Sequence, residues 1–243
     1  MNQKKDQKNK IWIAISAIVI ALLIIFTIVI FDSKNKDKNS SKSSNSSISK
    51  IQKSDSKTSS SKVKTTIQNG KLLKKEPTLD QFNKIKIADT SSIKQGDGLT
   101  LSEAKKLFGQ PTNLSSNKNN DVSSDFANWT YNRTSTTDSI SLSISFTNKI
   151  AVSKALIGIQ VKRPKKIDLT TFNNIKISDS YENVIKVLGQ PNGITESISQ
   201  KKVSKTAIYS SDLNTASEDK NKANVTFVFN GGKLISKNQT GLK

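Results

Sequence analysis

"LFGQP" occupies residues 107–111 and "VLGQP" residues 187–191, and the reading of these two endings decides the fold. A glycine in the left-handed conformation stops a helix, and a proline just beyond keeps it from restarting, so each stretch reads as a helix C-terminus. Working outward, "LDQFNKIKIADT" (79–90) answers "LTTFNNIKISDS" (169–180). Downstream, "SISFTNKIAVSKALIG" (143–158) answers "TFVFNGGKLISKNQTG" (226–241), placing Phe146 over Phe229 and Ser153-Lys154 over Ser236-Lys237. Three matched blocks in one order predict a tandem duplication. The first copy carries an extra polar, glycine-bearing stretch around "SSIKQGDGL" (91–99), which reads as a loop.

Inside the first copy, Thr100 with Glu103 forms a capping box, and Leu101, Ala104, Leu107 and Phe108 make one helical stripe up to Gly109. In the second, Tyr181, Val184, Ile185 and Leu188 form the stripe, with either Ser180 or the Asp179–Glu182 pair as the cap. A polar loop is expected after each Gln-Pro. Strands follow: "ANWTYNR" (127–133), strictly alternating "SISLSISF" (139–146), "KTAIYSS" (205–211), and "NVTFVFNGGKLIS" (224–236), whose Gly231-Gly232 suits a hairpin turn. The predicted class is α+β: two tandem repeats, each a short N-terminal turn and one short helix packed on a three- to four-stranded antiparallel sheet.

Residues 11–31, "IWIAISAIVIALLIIFTIVIF", hold no charge and are long enough to span about 30 Å of hydrocarbon as a helix. They are expected to be an uncleaved transmembrane anchor in the bilayer, since no small-residue cleavage site follows. Lysines flank both ends, so charge alone does not set the orientation. A short N-terminal tail (1–10) inside and a long C-terminal region outside gives a single-pass cell-membrane protein with its folded part extracellular. Residues 32–78, rich in Ser, Lys and Asn, are expected to be a disordered linker. Module 1 is then 79–160, a basic connector 161–168, and module 2 169–243.

The net charge of +20 comes almost wholly from lysine, with only Arg133 and Arg163 as arginines. It permits a polyanion such as a wall polymer or anionic lipid, with Lys162, Arg163, Lys165 and Lys166 of the connector as contacts, but equally a set of solvated lysines. Specific phosphate or base recognition recruits arginine, so no nucleic acid is expected. There is no cysteine and no histidine. The usual Ser-His and Cys-His arrangements are impossible, and no cofactor or metal is expected. "SEAK" (102–105) fits a Ser-x-x-Lys pattern, but in a chain so rich in both residues such matches arise by chance, and the partner motifs are missing.

The repeated "F-N-x-I-K-I", a short helix ending in "GQP", aromatic-bearing strands and a closing "SK…G" resemble the β-lactamase-inhibitor-protein-like domain family. They look more closely like membrane-anchored surface proteins of Gram-positive bacteria built on it. The resemblance covers about residues 79–243 and implies a non-catalytic protein that binds through the sheet face and its loops. Inhibition of a β-lactamase does not carry over, because the inhibitory loop residues have no match here. Trp129 and Tyr131 fall on one side of a strand, with Arg133 at its edge and Tyr209 as the repeat-equivalent of Tyr131. These four are either anchors for a partner or core under the helix. The expectation is an extracellular, non-enzymatic protein-binding module, with a polyanion-binding tether as the alternative.

Overall fold

The computed structural model describes residues 64–66, 75–94, 96–119, 122–133, 139–216 and 222–243, which all lie in one compact unit, Lys62–Lys243. The tail, the expected transmembrane segment 11–31 and the linker up to residue 63 lie outside the described residues. Among the described residues, no helix is long and apolar enough to cross a membrane.

Among the described residues there are four short helices: α1 (Leu79–Lys84), α2 (Leu101–Phe108), α3 (Leu169–Asn174) and α4 (Tyr181–Leu188). The strands are β1 (Lys64–Thr66), β2 (Asn113–Asn119), β3 (Val122–Asn132), β4 (Ser139–Thr147), β5 (Ile150–Ile157), β6 (Gly193–Ser199), β7 (Lys202–Tyr209), β8 (Asn224–Asn230) and β9 (Lys233–Thr240). Two helices followed by four strands thus occur twice in the same order.

The fold prediction needs correction in three places. In place of two modules with a sheet each, one antiparallel sheet runs in chain order through the nine strands of the described residues. The seam is β5 against β6, from Ser153↔Ser197 to Ile157↔Gly193. A free strand edge leaves a row of backbone donors and acceptors unpaired, and joining the halves satisfies both inner edges at once. Secondly, each half has two helices. The predicted N-terminal turns are helices, started by a capping box of Thr78 and Gln81 for α1 and by Asp168 accepting from Thr171 N for α3. Thirdly, β2 and β6 form where polar loops were expected. Lys64–Thr66, inside the stretch read as linker, pairs with β2 as an edge strand.

The alternation of each strand sends one set of side chains under the helices. Phe82, Ala104, Ala127, Trp129, Ile140, Leu142, Ile144 and Phe146 make one cluster; Phe172, Val184, Leu188, Tyr209, Val225, Phe227, Phe229 and Leu234 make another. Burying each of the larger side chains contributes roughly 1.5–3 kcal/mol. Leu107 departs from its predicted stripe: it is 65 % exposed, while Phe108 turns inward against Trp129.

The duplicated motifs have a common physical cause in each half. Gly109 (φ 79°, ψ −167°) and Gly189 (φ 76°, ψ −174°) follow α2 and α4 with extended ψ at positive φ, a region only glycine enters cheaply. This replaces the left-handed stop expected from the sequence. It aims each glycine carbonyl at a ring in the sheet: Trp129 Nε1 donates to Gly109 O at 2.9 Å, and Tyr209 Oη to Gly189 O at 3.1 Å. The "F-N-x-I" and "S-K" motifs work together. Lys154 Nζ donates to Phe82 O and Ile85 O, both at 3.0 Å, and Lys237 Nζ to Phe172 O at 2.8 Å and Ile175 O at 2.7 Å. Each lysine covers the negative end of a helix and lies over that helix's phenylalanine ring.

Candidate functional site

The residues singled out from sequence are distributed over three places. Trp129 and Tyr209 are fully buried beneath the helices, bonded to the two glycine carbonyls, and present no surface to a partner. Burial raises the Tyr209 hydroxyl well above its usual pKa, and the nearby Tyr181 adds to the effect. Tyr131 is half-buried against the first cluster. Arg133 holds Glu76 in a two-point ion pair that ties the chain ahead of α1 to the end of β3.

In the connector, Arg163 is buried while Lys162, Lys165 and Lys166 are exposed. Its guanidinium donates to Leu188 O (3.1 Å), Gln190 O, Ser211 O (2.9 Å) and Asn192 Oδ1 (3.1 Å), stacks over Tyr209 and pairs with Asp212 at 3.7 Å. It clasps the end of α4 and is not available to a polyanion.

A cleft of about 440 Å³ opens on the helix side, between Leu79 and Asn83 of α1 and Tyr181, Glu182, Ile185 and Lys186 of α4. At the seam beneath the helices, Glu196 sits between Lys154 (3.7 Å) and Lys205 (3.5 Å). Burial, reinforced by the charge of Lys205, lowers the Lys154 pKa against the pull of Glu196. Even so, Lys154 Nζ is fixed by two carbonyls and is not poised as a nucleophile. Ser102 of "SEAK" is an exposed residue in the first turn of α2. Among the described residues, no group of three or more His, Cys, Asp or Glu side chains could hold a metal ion.

The other face of the sheet carries no helix among the described residues, since the buried side chains of all four helices belong to the two clusters. Strand register lays it out in rows. One row runs Ser115–Phe126–Ser145–Ser153–Ser197–Ser204–Asn230, and the next Asn113–Asn128–Ser143–Ala155–Thr195–Thr206–Val228. A third runs Thr130–Ser141–Ile157–Gly193–Ile208–Thr226. None of these residues is charged, in a chain with 24 % charged residues. Asn128 Nδ2 donates to Ser141 Oγ (2.6 Å) and Ser143 Oγ (2.8 Å), and Thr130 Oγ1 donates to Asn128 Oδ1 (2.8 Å), so part of the polar surface is pre-ordered.

In the third row two isoleucines flank Gly193. A Cβ there would stand 2.7 Å from Ile157 Cδ1 and 3.5 Å from Ile208 Cβ, so only glycine lets them close over the strand. With Val228 and Phe126 they put half-buried apolar groups in a hydroxyl- and amide-lined surface. The sequence signal for it was the serine side of "SISLSISF"; Ile157, Gly193 and Ile208 were missed because β6 was read as a loop.

This architecture, helices on one face of a long antiparallel sheet and an open opposite face, can be set beside known proteins. The family model described as a domain of unknown function with solved structure, DUF3862, matches residues 74–242. The chain belongs to the DUF3862 family. A crystal structure of a "putative beta-lactamase inhibitor protein" from Streptococcus mutans is similar to this chain, with a TM-score of 0.52 and 24 % identity over 67 % of this chain and 94 % of that one. The likeness is one of fold, and it supports the β-lactamase-inhibitor-like architecture that the repeated motifs suggested. No curated protein matches the DUF3862 chain in sequence.

Proposed function

We propose that this DUF3862 protein is a non-catalytic binding module that engages another protein through the open face of its sheet. The observation that carries the reading is the uncharged character of that face around Ile157, Gly193 and Ile208. A polyanion needs cations, and these rows have none. Hydroxyl and amide groups around a few apolar side chains suit a protein surface, where hydrogen bonds surround a small desolvated centre. The inhibitor-like fold of the Streptococcus mutans structure is consistent with binding without chemistry. Extracellular placement and origin by duplication belong to the same proposal, supported by the apolar run at 11–31 and the matched sequence blocks.

The alternative, a tether for a wall polymer or anionic lipid, rests on Lys162, Lys165 and Lys166, because Arg163 is committed to the fold. A photo-crosslinking residue at position 206 on intact cells tests the proposal. The expected outcome is a discrete protein adduct that Ile208→Lys reduces by about tenfold and that physiological salt does not disperse. Capture only through the connector lysines, lost steeply with salt, favours the tether. Protease shaving of the same cells tests the location.

A further inference from the structure

β5 is covered along its whole outer side. Leu101 N donates to Lys149 O (3.0 Å) and Ala151 N to Leu99 O (2.8 Å), and Ser153–Ile157 then pairs with β6. In the second half β9 has the same role and the same register shift, at Val228/Phe229 as at Ser145/Phe146. Its beginning is covered in the same way, with Leu234 N donating to Asp179 O (2.8 Å) and Tyr181 N to Gly232 O (3.3 Å). From Ser236 to Thr240 β9 pairs with β8 on its inner side, and no strand lies on its outer side among the described residues.

Two side chains record the difference. Lys154 faces Glu196, its partner on β6, at 3.7 Å. Lys237, which caps α3 as Lys154 caps α1, has Lys176 and Asp179 in its surroundings but no carboxylate within ion-pair distance among the described residues. Val152 at the first bulge is 1 % exposed, whereas Ile235 at the second is 55 % exposed.

We propose that the edge of β9 at Ser236–Thr240 receives an antiparallel strand from a partner protein, with a carboxylate opposite Lys237 and an apolar side chain over Ile235. Strand addition draws affinity from main-chain hydrogen bonds and specificity from such alternate positions. Edge lysines usually block pairing. Lys237 does not, because its ammonium is turned onto α3. A second copy of this chain is a poor donor: in β2, the counterpart of β6, Ser116 stands where β6 has Glu196, and β1 already pairs with that strand.

The probe is a labelled peptide with the sequence of residues 193–199, Gly-Ile-Thr-Glu-Ser-Ile-Ser, titrated into the full-length chain. Binding is expected to slow amide exchange at 236–240, to weaken about tenfold or more when the peptide glutamate becomes lysine, and to weaken severalfold with Ile235→Ser. Ile208→Lys, on the open face, should leave it unchanged, which separates this edge from the surface proposed above. No binding at millimolar peptide, equal binding of the lysine peptide, protection elsewhere, or crosslinks showing residues 1–63 of the same chain on 236–240 would each overturn the proposal.

Discussion

The carbonyl of Gly109 and that of Gly189 explain why the chain writes "GQP" twice. Each must face the sheet to accept a hydrogen bond from Trp129 or Tyr209, and that requires the backbone angles only glycine takes freely. Trp129→Phe and Tyr209→Phe are expected to cost about 1 kcal/mol of hydrogen bonding each, plus any loss from packing. For Gly109→Ala the expected cost is roughly 1–3 kcal/mol from backbone strain alone, because a Cβ there meets nothing within 4 Å. Urea titrations followed by far-ultraviolet circular dichroism measure all three. At this scale the sequence was only partly legible. Alternation put Trp129 and Tyr131 on one side of their strand, but could not say which side the helices cover. Arg163 looked like its lysine neighbours, since only the folded chain brings Leu188 O, Gln190 O and Asn192 to it.

Elements with strong periodicity were readable, and those depending on a distant partner were not. The box at Thr100 and Glu103 and the alternation of β4 needed no tertiary information, whereas the sequence left the α4 cap between Ser180 and the Asp179–Glu182 pair, and the structure gives it to Ser180. β2, "NLSSNKN", sits near a sheet edge, turns only Leu114 into the core and so offers no apolar pattern. β6 took its place because β5 supplied the edge. The docking of α4 on the sheet can be followed by titration. Burial pushes the Tyr181 hydroxyl up to about 12, aided by Glu196 and Glu182. A folded pKa raised above the usual value of about 10 means that its stabilising share is complete below that pH and lost as pH rises through about 12. Absorbance at 295 nm should show Tyr181 still protonated at pH 11 in the folded chain, with a step that Tyr181→Phe removes. The melting temperature should fall across the same interval.

For the molecule as a whole, the decisive event is the meeting of the halves. Asp89, in the first half, accepts from Gln200 N (3.0 Å) and Lys201 N at the β6–β7 turn of the second, and from Ser91 N (2.8 Å). These hydrogen bonds outweigh the opposing effect of burial and hold its pKa below the ordinary carboxylate value. Asp89→Ala should therefore lower the melting temperature at neutral pH. The gap from wild type should close as pH drops below roughly 4, where the carboxylate takes up its proton. An unchanged gap in acid would show that the turn is not held by charge. Matched blocks were visible in the sequence, but a match between blocks carries no information about whether the sheets they belong to merge. That depended on which strand would sit beside β5.

The two ion pairs that fasten each helical pair to its strands carry reversed polarity: Glu76 to Arg133 in one half, Arg163 to Asp212 in the other. A chain whose halves share so much could fold crosswise, the leading segment of one docking on the strands of the other. Counted from the matched helices, Glu76 stands three residues ahead of α1 and Arg163 six ahead of α3, so the two pairs do not occupy equivalent places. Each ion pair is thus particular to its own half, and a leading segment docked on the other half's strands would forgo it.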